Sequence, residues 1–268
     1  MDELIFLKLG GSLITEKGRR ERAKKETIRR AAREVREALE EGSFRLLLGH
    51  GSGSFGHYPA RKYGVREGLG EGEFWGFAET GAVAARLNRL VTDVFLEEEV
   101  PVISLQPSAS AWCRGGRLVA LEVKPISEAL AQGLVPLLYG DVAFDEQQGA
   151  TIISTEEIFV YLAERLSPAR IILAGEVGGV YAGDPHRDPR APLLERISPS
   201  DLPRLERVLS GSSQVDVTGG MLSKVRLMCG LVEGFPSLQV RFISGKEEGL
   251  IKRTLLDPGL GAGTLLEA

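Results

Sequence analysis

Three short segments of the chain combine glycine with lysine, serine or histidine in ways that suit anion binding. Lys8-Leu9-Gly10-Gly11-Ser12 closes an apolar run with two glycines. Glycines at a strand end allow successive backbone N–H groups to converge on one anion, and Lys8 would add a positive charge beside them. A glycine turn with an incidental lysine is the competing reading. His50-Gly51-Ser52-Gly53-Ser54-Phe55-Gly56-His57 again follows an apolar run. Such a stretch buries little and costs backbone entropy, so packing does not call for it. Its N–H groups and hydroxyls could enclose a phosphate, with His57 on the same group. It lacks the lysine-serine ending of a P-loop, and it does not fit the dinucleotide fingerprint. Asp216-Val217-Thr218-Gly219-Gly220-Met221 precedes a helical pattern carrying Lys224. Glycines at a helix start with a nearby lysine can hold phosphate; a cap at Thr218 with a solvated Lys224 is the plainer alternative.

Two further features are less specific. The basic run from Lys17 to Arg36 is interleaved with Glu16, Glu21, Glu26, Glu34 and Glu37, as on a solvated helix face. Lys17 stands apart because it directly follows the first glycine turn. Phe74, Trp75 and Phe77 could line an apolar pocket or pack in the core.

These segments need elements to position them. Leu4 to Leu9, Leu46 to Leu48, Val102 to Leu105, Val135 to Tyr139, Ile171 to Ala174, Val240 to Ile243 and Thr264 to Leu266 read as short strands. Leu118 to Leu121 reads as a weaker strand after a Gly115-Gly116 hairpin turn. Helical spacing runs through 26–41, with Ile28, Ala31, Ala32, Val35, Ala38 and Leu39 on one face and Gly42 as the stop. It recurs at 78–98, 125–132, 156–166, 201–209, 221–233 and 248–256. Strands alternating with helices predict an α/β fold with a mostly parallel sheet covered on both faces, in one domain spanning 1–268. Ligands of such sheets sit beyond the carboxyl ends of the strands, where the glycine clusters fall.

Composition narrows the function classes. The 268 residues are 43% hydrophobic and 26% charged, with a formal net charge of -4. That balance gives no general attraction to nucleic acid or anionic membranes. Cys113 and Cys229 are far apart and have no nearby histidine pair, which argues against a disulfide framework or a zinc site and for a reducing, cytoplasmic setting. No apolar run approaches the ~20 residues of a membrane span, and the N-terminus enters a strand pattern at once, unlike a signal peptide.

Taken in order, KLGGS at 8–12, HGSGSFGH at 50–57, SLQPSAS at 104–110, YGDV at 139–142 and DVTGGMLSK at 216–224 resemble the isopentenyl phosphate kinases of the amino acid kinase superfamily. The resemblance implies a three-layer αβα sandwich, often dimeric, with an amino-terminal part for the acceptor and a carboxy-terminal part for the nucleotide. It implies transfer of the γ-phosphoryl group of ATP, accompanied by Mg2+, to isopentenyl phosphate. By the family pattern, Lys8 and Lys224 neutralise the transferring group and Lys17 stabilises the transition state. Gly10, Gly11, Ser12 and Gly220 cradle the ATP phosphates, while Ser52, Gly53 and His57 hold the acceptor phosphate. Tyr181 is expected beside the adenosine.

Two places depart from the pattern. Ser154-Thr155-Glu156 stands where the family reads serine-glycine-aspartate. Glu156 is expected to orient the lysines with a longer reach, and Thr155 to add bulk beside the substrate. Gly175-Glu176-Val177-Gly178-Gly179 replaces threonine-aspartate-valine-aspartate-glycine, so Glu176 is the nucleotide contact expected there. Another small-molecule kinase of the superfamily, such as one acting on fosfomycin, and a nucleotide-binding sensor without catalysis are the alternatives. A nucleic-acid-binding role for 17–36 has little support from the charge pattern.

Overall fold

The computed structural model describes residues 2–69, 74–185, 187–209 and 220–268. The expected turn Asp216-Val217-Thr218-Gly219 therefore lies outside the described residues. Along the chain, β1 (Glu3–Leu9) leads through one helical turn, α1 (Gly11–Ile14), to α2 (Lys25–Glu41). β2 (Phe44–His50) is followed by α3 (Gly53–Tyr63) and the long α4 (Trp75–Glu97). Then come β3 (Val102–Ser104), the paired β4 (Trp112–Arg114) and β5 (Arg117–Ala120), α5 (Lys124–Ala131) and β6 (Val135–Tyr139). A hairpin of β7 (Asp141–Asp145) and β8 (Gly149–Ile153) precedes α6 (Thr155–Leu166) and β9 (Arg170–Gly175). The remainder comprises β10 (Arg196–Ile197), α7 (Leu202–Leu209), α8 (Gly220–Gly234), β11 (Gln239–Ser244), α9 (Leu250–Leu256) and β12 (Thr264–Leu266).

Eight strands form the main sheet in the order β10-β12-β11-β9-β1-β2-β6-β3. Every neighbouring pair in it is parallel except β11 with β12. Side chains alternate along β1. Leu4 and Phe6 enter a core shared with α5, α6, α7 and α8, whereas Ile5, Leu7 and Leu9 enter one shared with α2, α4 and α9. Apolar runs such as Leu4–Leu7 are thus buried on both sides, as a covered parallel sheet requires.

The register brings the glycine turns to one edge. Leu9 pairs with His50 and Ala174, His50 with Tyr139, and Ala174 with Ile243. The glycine after each strand continues its ladder: Gly10 N–H donates to Ala174, Gly51 to Leu9, Gly140 to His50 and Gly245 to Gly175.

Two segments differ from the sequence expectation. The serine-glycine stretch at 50–57 is a loop only at Gly51-Ser52; from Gly53 it is the first turn of α3. Its glycines weaken helix propensity, yet they are needed for a close backbone contact described below. The hairpin of β7 and β8 was not expected, since Gly140 reads as the end of a strand. Instead the chain turns there into the small sheet β5-β4-β7-β8. Asp145 secures its connections by accepting N–H bonds from Gly115, Gly116, Gln147 and Gln148.

Helix α6 lies tightly on the sheet. Phe159 packs on Phe6 with ring centroids 5.1 Å apart, and a Cβ on Gly49 would lie 2.6 Å from Thr155 Cγ2 and 2.8 Å from the Phe159 ring. Gly49→Ala should push α6 off the sheet and cost roughly 1–3 kcal/mol by overpacking, read by urea denaturation; an unchanged midpoint would contradict this packing.

Candidate active site

The first two glycine turns meet backbone to backbone. A Cβ on Gly11 would lie 2.7 Å from the Gly53 Cα, and one on Gly51 would lie 2.8 Å from the Gly11 nitrogen. Gly53 also has φ +48°, in the left-handed region. Thr15 joins the two turns: its hydroxyl donates to the Gly11 carbonyl at 2.8 Å and accepts the Ser54 N–H at 3.0 Å. Thr15 carried no sequence signal, because a threonine after a short helix has many ordinary uses. Buried as it is, it fixes the spacing of two anion-binding backbones.

Lys8 shares the face of β1 with Phe6, and Glu156 precedes Phe159 by three residues, nearly one turn, on α6. The aromatic packing therefore draws an ammonium and a carboxylate together, and Lys8 Nζ forms an ion pair with Glu156 Oε1. Their residues are only 6% and 3% exposed, so each offsets the cost of burying the other's charge. Ser154 caps α6 in a reciprocal box with Glu157, placing Glu156 in the first turn, where the helix dipole favours an anion. Burial pushes the Glu156 pKa up, but the Lys8 charge first and the Lys224 charge next outweigh it and hold the carboxyl below its ordinary value. The longer side chain of Glu156 thus reaches the lysine that it was expected to orient.

Glu176, directly after β9, meets three ammonium groups: Lys17 at 2.8 Å, Lys246 at 3.3 Å and Lys24 at 3.4 Å. Burial opposes its charge, and the hydrogen bond and charge of Lys17 together with those of Lys246 bring its pKa down to about 2. Lys24 also donates to the Ser12 carbonyl at 2.9 Å. The 15–24 segment is a hairpin, with Thr15 bridged to Ala23. Its opposite side is tied to α4 by Arg20–Glu79 at 3.1 Å and Arg86–Glu21 at 2.8 Å.

Between these elements lies a cavity of about 770 Å³. Lys8, Gly11, Ser12, Lys17, Ser52, Gly53, His57, Thr155, Glu156 and Lys224 all line it. Ser54, from the same serine-glycine segment, lines it too, and so do Arg19, Arg20, Arg61 and Ile152, which the sequence does not single out. Arg19 and Arg20 belong to the 17–36 charge run that reads as a solvated face, and Arg61 lies near the end of α3. The Ser54 hydroxyl is buried there with no hydrogen-bond partner among the described residues. A small apolar recess of about 10 Å³ opens beside His57, against Ala60, Ala84 and Ile152.

Gly10, Glu176, Tyr181 and Gly220 lie outside the lining. Gly10 supports the turn through its bond to Ala174, and Tyr181 bridges Leu193. Gly220 begins α8 with φ +65°. The Thr155 hydroxyl donates to the His50 carbonyl at 2.7 Å. His50 itself is fully buried behind the turn, where Nδ1–H donates to Gly51 and Nε2 accepts from Asn88. Burial lowers its pKa to about 4, so the ring is neutral near pH 7.

The aromatic cluster is placed elsewhere than the pocket reading had it. Phe77 stacks on Phe144 at 4.7 Å and Phe74 packs beside both, while Trp75 is 75% exposed. Aromatic packing against β7 accounts for Phe74 and Phe77. The cavity as built is cationic, lined with N–H and hydroxyl donors, and apolar at one recess. It suits two phosphate groups brought together.

Residues 3–241 match the model of the amino acid kinase family. Isopentenyl phosphate kinase of Methanothermobacter thermautotrophicus is 37% identical over 262 residues, covering 94% of this chain and 95% of that protein. The protein of the same name from Methanocaldococcus jannaschii is 33% identical over 236 residues, 84% of this chain and 86% of its own. A solved structure described as isopentenyl phosphate kinase superposes with a TM-score of 0.84 at 33% identity, covering 98% of this chain and 99% of that one.

Two predictions follow from the charges. Glu156→Gln removes the ion pair that Glu156 gives the buried Lys8 ammonium and should cost roughly 1.5–3 kcal/mol, measured by denaturant titration; a loss below about 1 kcal/mol would contradict the pairing. Glu176 has a pKa of about 2 against an ordinary 4.5, so its stabilisation is complete above pH 4.5 and fades as pH falls toward 2. Glu176→Gln should flatten that acid limb in thermal melts, and superimposable profiles would refute the assignment.

Proposed function

The chain belongs to the amino acid kinase family, and from that premise we propose that it transfers the γ-phosphoryl group of ATP to isopentenyl phosphate, giving isopentenyl diphosphate for isoprenoid biosynthesis. One observation carries the reading: Lys8, Lys17 and Lys224 line the same cavity as the joined Gly11 and Gly53 turns and His57. Both reactants are anions, so their approach is opposed by Coulomb repulsion. Phosphoryl transfer asks the protein mainly for positioning and charge stabilisation.

The acceptor phosphate oxygen is already ionised and needs no general base. In this reading it is held by His57, Ser52 and the Gly53 N–H, and it attacks the γ-phosphorus as the bond to the bridging β,γ-oxygen breaks. Lys8 and Lys224 neutralise the moving group, and Lys17 meets the charge that develops on it. Glu156 pairs with Lys8, feels the charge of Lys224, and in this reading orients the lysines rather than binding the substrate. Gly11 and Ser12 present N–H groups to the nucleotide phosphates. Among the described residues no group of three or more His, Cys, Asp or Glu could hold a metal ion. Magnesium belongs to this reading as a complex with the nucleotide phosphates, whose charge it offsets. Ile152, on the lining of the main cavity, offers the isopentenyl tail an apolar contact, whereas Phe74 and Phe77 pack on Phe144. Tyr181 and Gly220 remain proposed nucleotide neighbours.

One domain, a homodimer and a cytoplasmic location complete the reading; limited proteolysis, sedimentation and cell fractionation test them. No helix among the described residues is long and apolar enough to cross a membrane. Purified protein with ATP and Mg2+ should convert isopentenyl phosphate far faster than fosfomycin in a coupled ADP assay; equal or reversed preference would defeat the assignment. His57→Ala should lower kcat/KM for isopentenyl phosphate by about 10²-fold or more while ATP binding, followed by calorimetry, persists. A fully active His57→Ala enzyme would remove the histidine from the acceptor site.

A further inference from the structure

Lys17 reaches the cavity from a hairpin, and its side chain is 52% exposed. A lysine so placed has several open rotamers, and holding it in one costs side-chain entropy. A single exposed ion pair offsets little of that. What faces Lys17 here is different: Glu176 is a carboxylate only 12% exposed, at the rigid end of a central strand. Lys246, following β11, and Lys24, at the foot of the hairpin, hold the same carboxylate on its other oxygen, Oε1. Oε2 is thereby left aimed at Lys17. Lys24 is fixed in turn by the Ser12 carbonyl. The carboxylate lies outside the cavity lining, whereas Lys17 and Ser12 are part of it.

We propose that Glu176 is a positioning residue for phosphoryl transfer, acting through Lys17 and contacting neither substrate. This rests on the kinase reading above and replaces the nucleotide contact expected of Glu176 from sequence. The cluster holds one carboxylate against three ammonium groups, so it keeps a positive excess that attracts the donor's phosphates. When those phosphates arrive, Lys17 is already extended over the cavity. Lys24 and Lys246 neutralise the carboxylate whenever Lys17 turns toward the transferring group. The other side of the hairpin stays tied to α4 by Arg20–Glu79 and Arg86–Glu21, and Arg20 also lies over the Tyr58 ring at 4.6 Å. Loss of Glu176 therefore releases Lys17 without releasing the hairpin.

Steady-state kinetics on wild type, Glu176→Gln, Glu176→Asp, Lys17→Ala and the Glu176→Gln/Lys17→Ala pair test this. Glu176→Gln should lower kcat about tenfold, with both KM values within about threefold of wild type, because a group that acts on the transition state alone is being misplaced. Glu176→Asp should recover part of kcat. In the Lys17→Ala background, Glu176→Gln should cost less than about twofold further, since its effect passes through the missing lysine. An unchanged kcat in Glu176→Gln, or losses that multiply in the pair, would overturn the proposal. Failure of the wild type itself to phosphorylate isopentenyl phosphate would defeat the kinase reading instead. The positioning claim would then be decided by NMR of ¹³C-methylated lysines, with Lys17 assigned through Lys17→Arg. Glu176→Gln must shift the Lys17 resonance, and an unmoved resonance would refute the claim.

Discussion

Lys8 and Glu156 are both nearly closed off from water, and each supplies the other with an opposite charge that solvent cannot supply there. Their meeting is set by packing beneath them. Phe6, two residues before Lys8 on one face of β1, lies on Phe159, three residues after Glu156 on α6. The absence of a side chain at Gly49 lets α6 settle onto the strand ends. A hydrophobic contact thus determines where a lysine stands at the mouth of the sheet. The Ser154–Glu157 box then fixes the first turn that carries the carboxylate.

Around that pair the site is built from cations held by anions that are not themselves positioned to react. Glu156 serves Lys8 and feels Lys224 from within the cavity, and Glu176 serves Lys17 from outside it. Both carboxyls lie below their ordinary pKa because lysines overcome the effect of burial. Both therefore stay ionised at neutral pH, and the lysines keep fixed counter-charges. The glycine turns complement this. Gly11, Gly51 and Gly53 allow two backbones to touch, so that N–H groups from β1–α1 and from the start of α3 face one space. Catalysis by preorganised charge requires such a frame before substrates arrive.

Much of this was legible in the sequence because short apolar runs closed by glycine leave few alternatives to buried parallel strands. The alternation placed β1, β2, β6, β9 and β11 and the glycine-bearing edge they share. Lys8, His57 and Lys224 stood out as polar residues beside glycine clusters that packing does not need. Other features depended on contacts between distant segments. The ion pairs of Glu176 are not legible in the sequence, because its three lysines come from positions 17, 24 and 246. Thr15, Arg19 and Arg20 join the site through the 15–24 hairpin and Arg61 through the last turn of α3, contacts that only the folded chain makes. Gly53 to Gly56 looked like loop because their intrinsic propensity opposes helix, and tertiary contact overrode it. Phe74 and Phe77 looked available for a ligand until the unforeseen hairpin of β7 and β8 brought Phe144 against them.

The central claim is that one cationic cavity brings two phosphate groups together at the ends of β1 and β2. A crystal structure with a non-hydrolysable ATP analogue and isopentenyl phosphate tests it most directly. The account predicts the γ-phosphate within hydrogen-bonding reach of Lys8 and Lys224, and the acceptor phosphate on His57 and the Gly53 N–H, with Glu156 still paired to Lys8. An acceptor phosphate bound away from His57 and Gly53, or a γ-phosphate out of reach of both lysines, would contradict it.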